Sequence, residues 1–257
     1  MYRFMSYIFA GGRRRLVWGA AAAALIFAGC GKDEGEGCDG QSGGGYTGGY
    51  GEVADADGQK YKTVKIGGQV WMAENLNYKG AEPNTTGRCY NDNADNCAKY
   101  GRLYSWAEAM GLDASYNSQH VSTSQIQTPH QGICPEGWHI PTRAEWDVLT
   151  AAVGGGATDG KHLKSTGGWH DCGACGSGKT YLCWDTYGFA ASPGGYYSAS
   201  ASNLGFYHAG YSGRWWSADE NSMSSAYYRY IYNVSERAEW KSDNTKSDLY
   251  SVRCVQN

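Results

Sequence analysis

Residues 173–180, GACGSGKT, put Gly173, Gly178, Lys179 and Thr180 where a phosphate-binding loop needs them. In such a loop the backbone N–H groups cradle phosphates, the lysine reaches them and the hydroxyl holds Mg²⁺. That chemistry requires a buried strand before the loop and a helix after it. The preceding STGGWHDC is not an apolar strand, and the following YLCWDTYGF has no helical period. The segment therefore reads as a glycine-rich surface loop between cysteines that binds no nucleotide. Gly43, Gly45 and Gly48 spell a dinucleotide fingerprint by letter, but no strand precedes them and no acidic partner follows.

Three other groupings have ligand-holding chemistry. Glu82-Pro83-Asn84 matches the tripeptide that holds Ca²⁺ and sugar in C-type lectins, with Asn91 and Asp92 downstream. In those lectins the tripeptide follows both helices; here it precedes them. Asn91, Asn93 and Asp95 have the 1-3-5 spacing of an EF-hand loop, but Asn96 stands where glycine is needed and Arg102 where the bidentate glutamate belongs. His170, Cys172, Cys175 and Cys183 could make a tetrahedral zinc site. In an oxidising compartment the cysteines are better read as disulfides. No metal or cofactor is expected. None of the six histidines has an obvious nucleophile beside it, and neither H-E-x-x-H nor G-x-S-x-G occurs.

The compartment is read from the N-terminus. Arg13, Arg14 and Arg15 precede an apolar stretch, Leu16 to Gly29, that is shorter than the ~20 residues needed to span a bilayer. Phe27-Ala28-Gly29-Cys30 resembles a bacterial lipobox, although Phe27 stands where leucine is usual. Residues 1–29 are thus expected to be a lipoprotein signal peptide and Cys30 the lipidated residue, anchored by several acyl chains. Lys32, Asp33 and Glu34 look like the short charged signals that direct lipoproteins to the outer cell surface. Loss of Arg3, Arg13, Arg14 and Arg15 takes the formal charge from −3 to about −7. An acidic exported chain is a poor partner for nucleic acid.

The remaining chain must supply the frame. The whole sequence has 38 Gly, 5 Pro, 21 Tyr and 10 Trp in 257 residues, a profile that suits short strands and many turns. Residues 30–54 read as a glycine-rich tether and 55–257 as the folded domain. Two strand-like runs flank Gly67-Gly68 and predict a hairpin. GRLYSWAEAMGL predicts a helix ended by Gly111. PTRAEWDVLTAAVGGG predicts another, with Thr142 and Glu145 spaced as a capping box and Trp146, Leu149 and Val153 on one face. RWWSA, AYYRYIYN and DLYSVRCV are strand candidates. The class is α+β, with two main helices, a twisted antiparallel sheet and long loops.

Six segments occur in a telling order: DGQKYKTVKIGGQVWMAENLNY, CYNDNADNCAKYGRLYSWAEAM, GICPEGWHIPTRAEW, GFAASPGGYY, WWSADE and SVRCV. Together they resemble the Fibrobacter succinogenes major paralogous domain family of bacterial surface lipoproteins, over about Asp55 to Val255. More distantly, GWHIPTRAEW and SVRCV are similar to motifs of formylglycine-generating enzymes, whose irregular fold is akin to that of C-type lectins. The resemblance implies that fold, and it implies bridges Cys89–Cys97 and Cys134–Cys254. Cys172, Cys175 and Cys183 are expected to supply at least one more, with Cys38 open as a partner. It does not imply oxidase chemistry, because Cys254 has no second cysteine between residues 184 and 253.

The function expected is a non-catalytic surface binding or adhesion module, for polysaccharide or an envelope protein. A formylglycine-generating oxidase and a structural envelope protein are the alternatives. Trp71, Trp106, Trp138 and Trp146 read as core. Strand alternation puts Trp215 and Trp216 on opposite faces, so both are core only if both faces are covered. Trp169, Trp184 and Trp240 fall in loop-like stretches. With Trp215 they are the candidate sugar-stacking residues, and Tyr196, Tyr197, Tyr207 and Tyr211 add aromatic area within residues 165–245. Cys30→Ser is expected to release the protein from membranes and to block labelling by a palmitate analogue; unchanged labelling would show that Cys30 carries no lipid.

Overall fold

The computed structural model describes residues 45–80, 85–170, 172 and 183–257. Cys30, Cys38, Glu82, Pro83, Asn84, Cys175 and the loop at 173–180 lie outside them. Strands β1 (Gly51–Ala54), β2 (Lys60–Ile66) and β3 (Gln69–Met72) form an antiparallel sheet. It is completed by β4 (Trp138–His139) and β10 (Val255–Gln256) in the order β1-β2-β3-β10-β4. The β2–β3 turn is Gly67-Gly68 as expected, with Gly67 at φ +59°. β1 corrects the tether boundary: ordered pairing begins inside 30–54, and Tyr46 N already donates to Asp185 O. Val53, opposite Tyr61, supplies the apolar contact that the glycine-rich composition concealed.

Among the described residues there are four short α-helices where two were expected. Helix α1 (Ala94–Tyr100) is capped by Asn93, whose side chain accepts from Asp95 N, and its Cys97 is bonded to Cys89. No helix was expected in this polar stretch. α2 is only one turn, Trp106–Ala109, with a Ser105/Glu108 capping box. α3 (Arg143–Ala152) has the anticipated Thr142/Glu145 box, and Gly154, Gly155 and Gly156 all take positive φ beyond it. α4 is Asp159–Leu163. In the second half, β5 (Tyr196–Ser198) and β6 (Gly205–Tyr207) make a ribbon. β7 (Ser212–Ser222), β8 (Ser225–Tyr232) and β9 (Ala238–Lys241) make a three-stranded antiparallel sheet. The architecture is mixed α and β, with few helices, antiparallel sheets and disulfides.

Strand alternation and two hydrophobic clusters explain the tryptophans. Met72 faces the first cluster, with Trp106, Tyr104 and Tyr250; Trp71 faces the second, with Trp146, Leu149 and Phe189. β7 repeats this division: Trp216 joins the first cluster and Trp215 the second. Both faces are covered, so both indoles are fully buried.

The C-terminal stretch, expected as one strand, is mostly isolated pairings that stitch the parts together. Tyr250 pairs with Tyr104, Ser251 with Trp215, and Val255 with both Trp71 and His139. Cys254 is bonded to Cys134 across 120 residues, a closure worth about 4–5 kcal/mol in the chain-entropy account. At the centre, Asn75 Oδ1 accepts from Trp215 Nε1 and Arg253 Nε, each at 2.9 Å. Asn75 Nδ2 donates to Tyr100 O at 2.8 Å and to Ser251 Oγ at 3.2 Å. Arg253 is fully buried and also donates to Met72 O, Phe189 O and Ala190 O. Burial pushes its guanidinium down to about 9, against the pull of Asp185 and Glu74.

Asn75→Ala leaves two buried donors without an acceptor, so it is expected to lower unfolding free energy by about 3–5 kcal/mol. Urea unfolding under non-reducing conditions reads this; a loss below about 1 kcal/mol would show that the hub is dispensable.

Candidate binding surface

The β5–β6 ribbon pairs Tyr196 with Tyr207 and Tyr197 with Phe206. An isolated two-stranded ribbon is marginal in water, so this one needs anchoring. Tyr197 exchanges backbone hydrogen bonds with Leu249, Gly195 N donates to Ser212 O, and Ala199 N donates to Asp248 Oδ1. Gly195 is required where it stands: φ is +66°, and a Cβ would meet Tyr207 O at 2.4 Å. The β5–β6 connection, residues 199–204, is largely exposed, with Leu204 at 63%.

Alternation gives the ribbon two aromatic sides. On one, the Arg88 guanidinium lies 4.5 Å from the Tyr197 ring and 4.9 Å from Phe206. It is held there by Asp92, which it grips through Nε and Nη2 at 3.0 and 2.7 Å. Tyr90 packs on Phe206. On the other side, Tyr196 lies over the Arg214 guanidinium at 3.5 Å. Tyr207 and the exposed His208 ring pack on Tyr196 and on each other, and Tyr232 packs on His208, at 5.7–6.4 Å between centroids. Tyr230 stacks on Tyr232. Tyr196, Tyr207, Tyr230 and Tyr232 are all half-buried, each keeping part of its ring at the surface.

Arg214 comes from β7 and is nine-tenths buried beneath this face, with Tyr228, Tyr230 and Tyr250 also within 5.6 Å of it. Burial works against its charge, and Tyr250, Tyr228 and Tyr196 more than offset that. Burial pushes the Tyr230 hydroxyl up to about 12. The His208 ring is held below its ordinary value by burial and then by Arg214. At pH 7 the face is therefore a set of neutral rings over one buried cation.

The tryptophans proposed for stacking stand elsewhere. Trp169 is buried and donates to Ala191 O, and Trp215 is buried against Asn75, so neither offers a face to a ligand. The loop-like sequence around Trp169 misled because loops that fold back over a core need large side chains beneath them. Trp184 is half-buried, with the Lys161 ammonium 4.4 Å from its ring centroid and the His162 ring edge-on at 5.0 Å. Trp240 lies in β9, not in a loop; its ring carries Arg229 at 4.0 Å and its Nε1 donates to Asp147. Each already has a protein cation on its ring.

The other groupings are also accounted for. Cys172 is bonded to Cys183, and the His170 ring stacks on Tyr211 at 4.3 Å, so these three members of the conceivable zinc set are otherwise engaged; the fourth, Cys175, lies outside the described residues. Asn93 is a helix cap and Asp92 is paired with Arg88. A polar cleft of about 180 Å³ lies beside Asn75, Tyr100, Ser192 and Arg253, but Asn75 and Arg253 are already hydrogen-bonded within the protein. Arg214, His208, Tyr230 and Tyr232 are the residues that sequence reasoning missed. A signal was present: Tyr228, Tyr230 and Tyr232 alternate in a strand and so share one side.

A family model described as the Fibrobacter succinogenes major domain matches residues 64–256, which takes in the hub, the whole tyrosine face and the buried residues of both clusters except Tyr61. No curated protein and no solved structure matches the chain. Trp169→Ala is expected to cost about 3–5 kcal/mol of stability, as for a large buried aromatic. Tyr207→Ala, at a half-buried position, should cost about 1 kcal/mol or less. Equal losses in chemical denaturation would contradict this division into core and surface rings.

Proposed function

The chain belongs to the Fibrobacter succinogenes major domain family, and we propose that it is a non-catalytic binding module of the bacterial envelope. In this reading it is held by lipid at Cys30 on the outer membrane, displayed at the surface, and binds polysaccharide on the tyrosine face. The observation that carries the reading is the grouping of Tyr196, Tyr207, Tyr230, Tyr232 and His208 on one side of β5, β6 and β8. Half-exposed tyrosines present an apolar ring with a polar edge. The ring stacks on the C–H face of a sugar and the hydroxyl meets its hydroxyls. The scaffold is of the formylglycine-generating-enzyme and C-type-lectin type. The capped helix after Pro141 and the terminal SVRCV with its buried Arg253 support that assignment.

A formylglycine-generating oxidase would need free, redox-active cysteines. Cys254 is instead fully buried and bonded to Cys134, with Cα atoms 5.9 Å apart. That geometry lies within the ordinary range for a structural bridge.

The full chain is expected to be retained by at least one member of a panel of plant cell-wall polysaccharides. Tyr207→Ala and Tyr232→Ala should each weaken that retention by about fivefold or more, as loss of a stacking ring costs roughly 1 kcal/mol. Retention of no polysaccharide, or variants within about twofold of the parent, would refute this placement.

A further inference from the structure

Three arginines among the described residues are buried to nine-tenths or more. Arg253 is hydrogen-bonded to Asn75 and three carbonyls, and Arg229 to Asp147 at 2.6 Å and Ala238 O at 3.1 Å, although the Arg229 Nε is sealed without a partner. Arg214 makes one long hydrogen bond, Nη1 to Tyr250 Oη at 3.3 Å. Its Nε is sealed from solvent without a partner; Nη2 has no partner among the described residues, yet it is not sealed. No carboxylate among the described residues lies within 4.0 Å of it. The nearest link to an acid runs through Tyr250, whose hydroxyl reaches Asp248 Oδ2 at 3.3 Å. Asp248 is itself occupied, accepting from Ala199 N and Thr245 Oγ1.

Burying a charge without a counter-ion is costly. Stacking on Tyr196 and the ring faces of its neighbours offsets part of that cost, and an anion delivered from outside would offset the rest. The aromatic cover narrows the choice. A bare phosphate or acetate would leave Tyr207 and Tyr232 idle, whereas a sugar ring with a carboxylate would use the rings and the guanidinium together. His208, exposed at the rim and ringed by Tyr196, Tyr207 and Tyr232, offers a further polar contact. Arg88, on the other side of the ribbon, is already paired with Asp92 and competes less for an anion.

Resting on the polysaccharide reading above, we propose that the tyrosine face takes an acidic polysaccharide, a polymer of uronic acid, and that Arg214 receives its carboxylate. Charge-assisted contacts of guanidinium with carboxylate are the strong ones in such sites. The long-range field of an acidic protein opposes an acidic polymer, so the preference comes from short-range pairing beneath the rings and survives salt that screens the surface.

The test compares the full chain on polygalacturonate, on the same polymer methyl-esterified, on a neutral xyloglucan and on dextran sulfate. Binding to polygalacturonate is expected to be about tenfold tighter than to the ester, a difference of about 1.4 kcal/mol. It should persist as ionic strength rises from about 0.01 M to about 0.15 M. Arg214→Gln should abolish the preference for the acid, while Tyr207→Ala weakens binding to acid and ester alike. Thermal unfolding checks that Arg214→Gln is folded, and the acid-against-ester comparison on the parent protein needs no variant. Equal binding of acid and ester would overturn the role of Arg214 and leave the polysaccharide reading standing. Tightest binding to dextran sulfate would mean an indiscriminate anion site and overturn the uronate assignment. Retention on none of the four polymers would overturn this inference together with that reading.

Discussion

The structure depends on one constraint: a core wrapped by irregular chain contains buried carbonyls with no ladder to pair them, and something else must donate to them. Unpaired groups of this kind cost about 1–3 kcal/mol each. Here side chains donate. Arg253 serves Met72, Phe189 and Ala190. Lys246, fully buried, serves Tyr116, Gln119 and Met223 while pairing with Glu220. The indoles do the same: Trp106 donates to Ser217 O, Trp216 to Tyr104 O and Trp169 to Ala191 O. These three indoles fill volume and return their N–H to backbone carbonyls, whereas Trp71, Trp215 and Trp240 donate to the side chains of Gln69, Asn75 and Asp147.

That role separates the aromatic residues into two sets. Most of the described tryptophans are interior, filling the two hydrophobic clusters. Half-exposed tyrosines on β5, β6 and β8 are spread over a surface, because a hydroxyl can both donate and accept and tolerates water. β7 joins the two sets. Its Trp215 and Trp216 enter opposite cores, while Arg214, one residue earlier, faces the tyrosines.

Local signals were readable from residues alone. The Gly67-Gly68 hairpin and the Thr142/Glu145 box follow from turn and cap chemistry, which involves near neighbours. The Cys89–Cys97 and Cys134–Cys254 bridges came with the family resemblance rather than from spacing, since eight cysteines leave the pairing open. α1 was missed because its stability comes from the bridge and an Asn93 cap more than from apolar period. The tyrosines of β5 and β6 are half-exposed, as expected of surface rings, but Trp169 and Trp215 are buried by distant chain. Trp169 is covered by Ala191, and Trp215 by Asn75, 140 residues away. Nothing within a short window of sequence reports such a partner.

The central position of residues 246–255 has a consequence for how the chain is completed. Lys246, Tyr250, Arg253 and Cys254 are all interior, and they join elements that begin about two hundred residues earlier. Chain that has not yet reached them lacks the middle of both cores, the donors to the six carbonyls that Arg253 and Lys246 serve, and the partner of Cys134. Synthesis proceeds from the N-terminus, so the domain stays open until this segment arrives and then closes around it. A product broken off short of that segment would keep its tryptophans in water, where quality-control proteases recognise it.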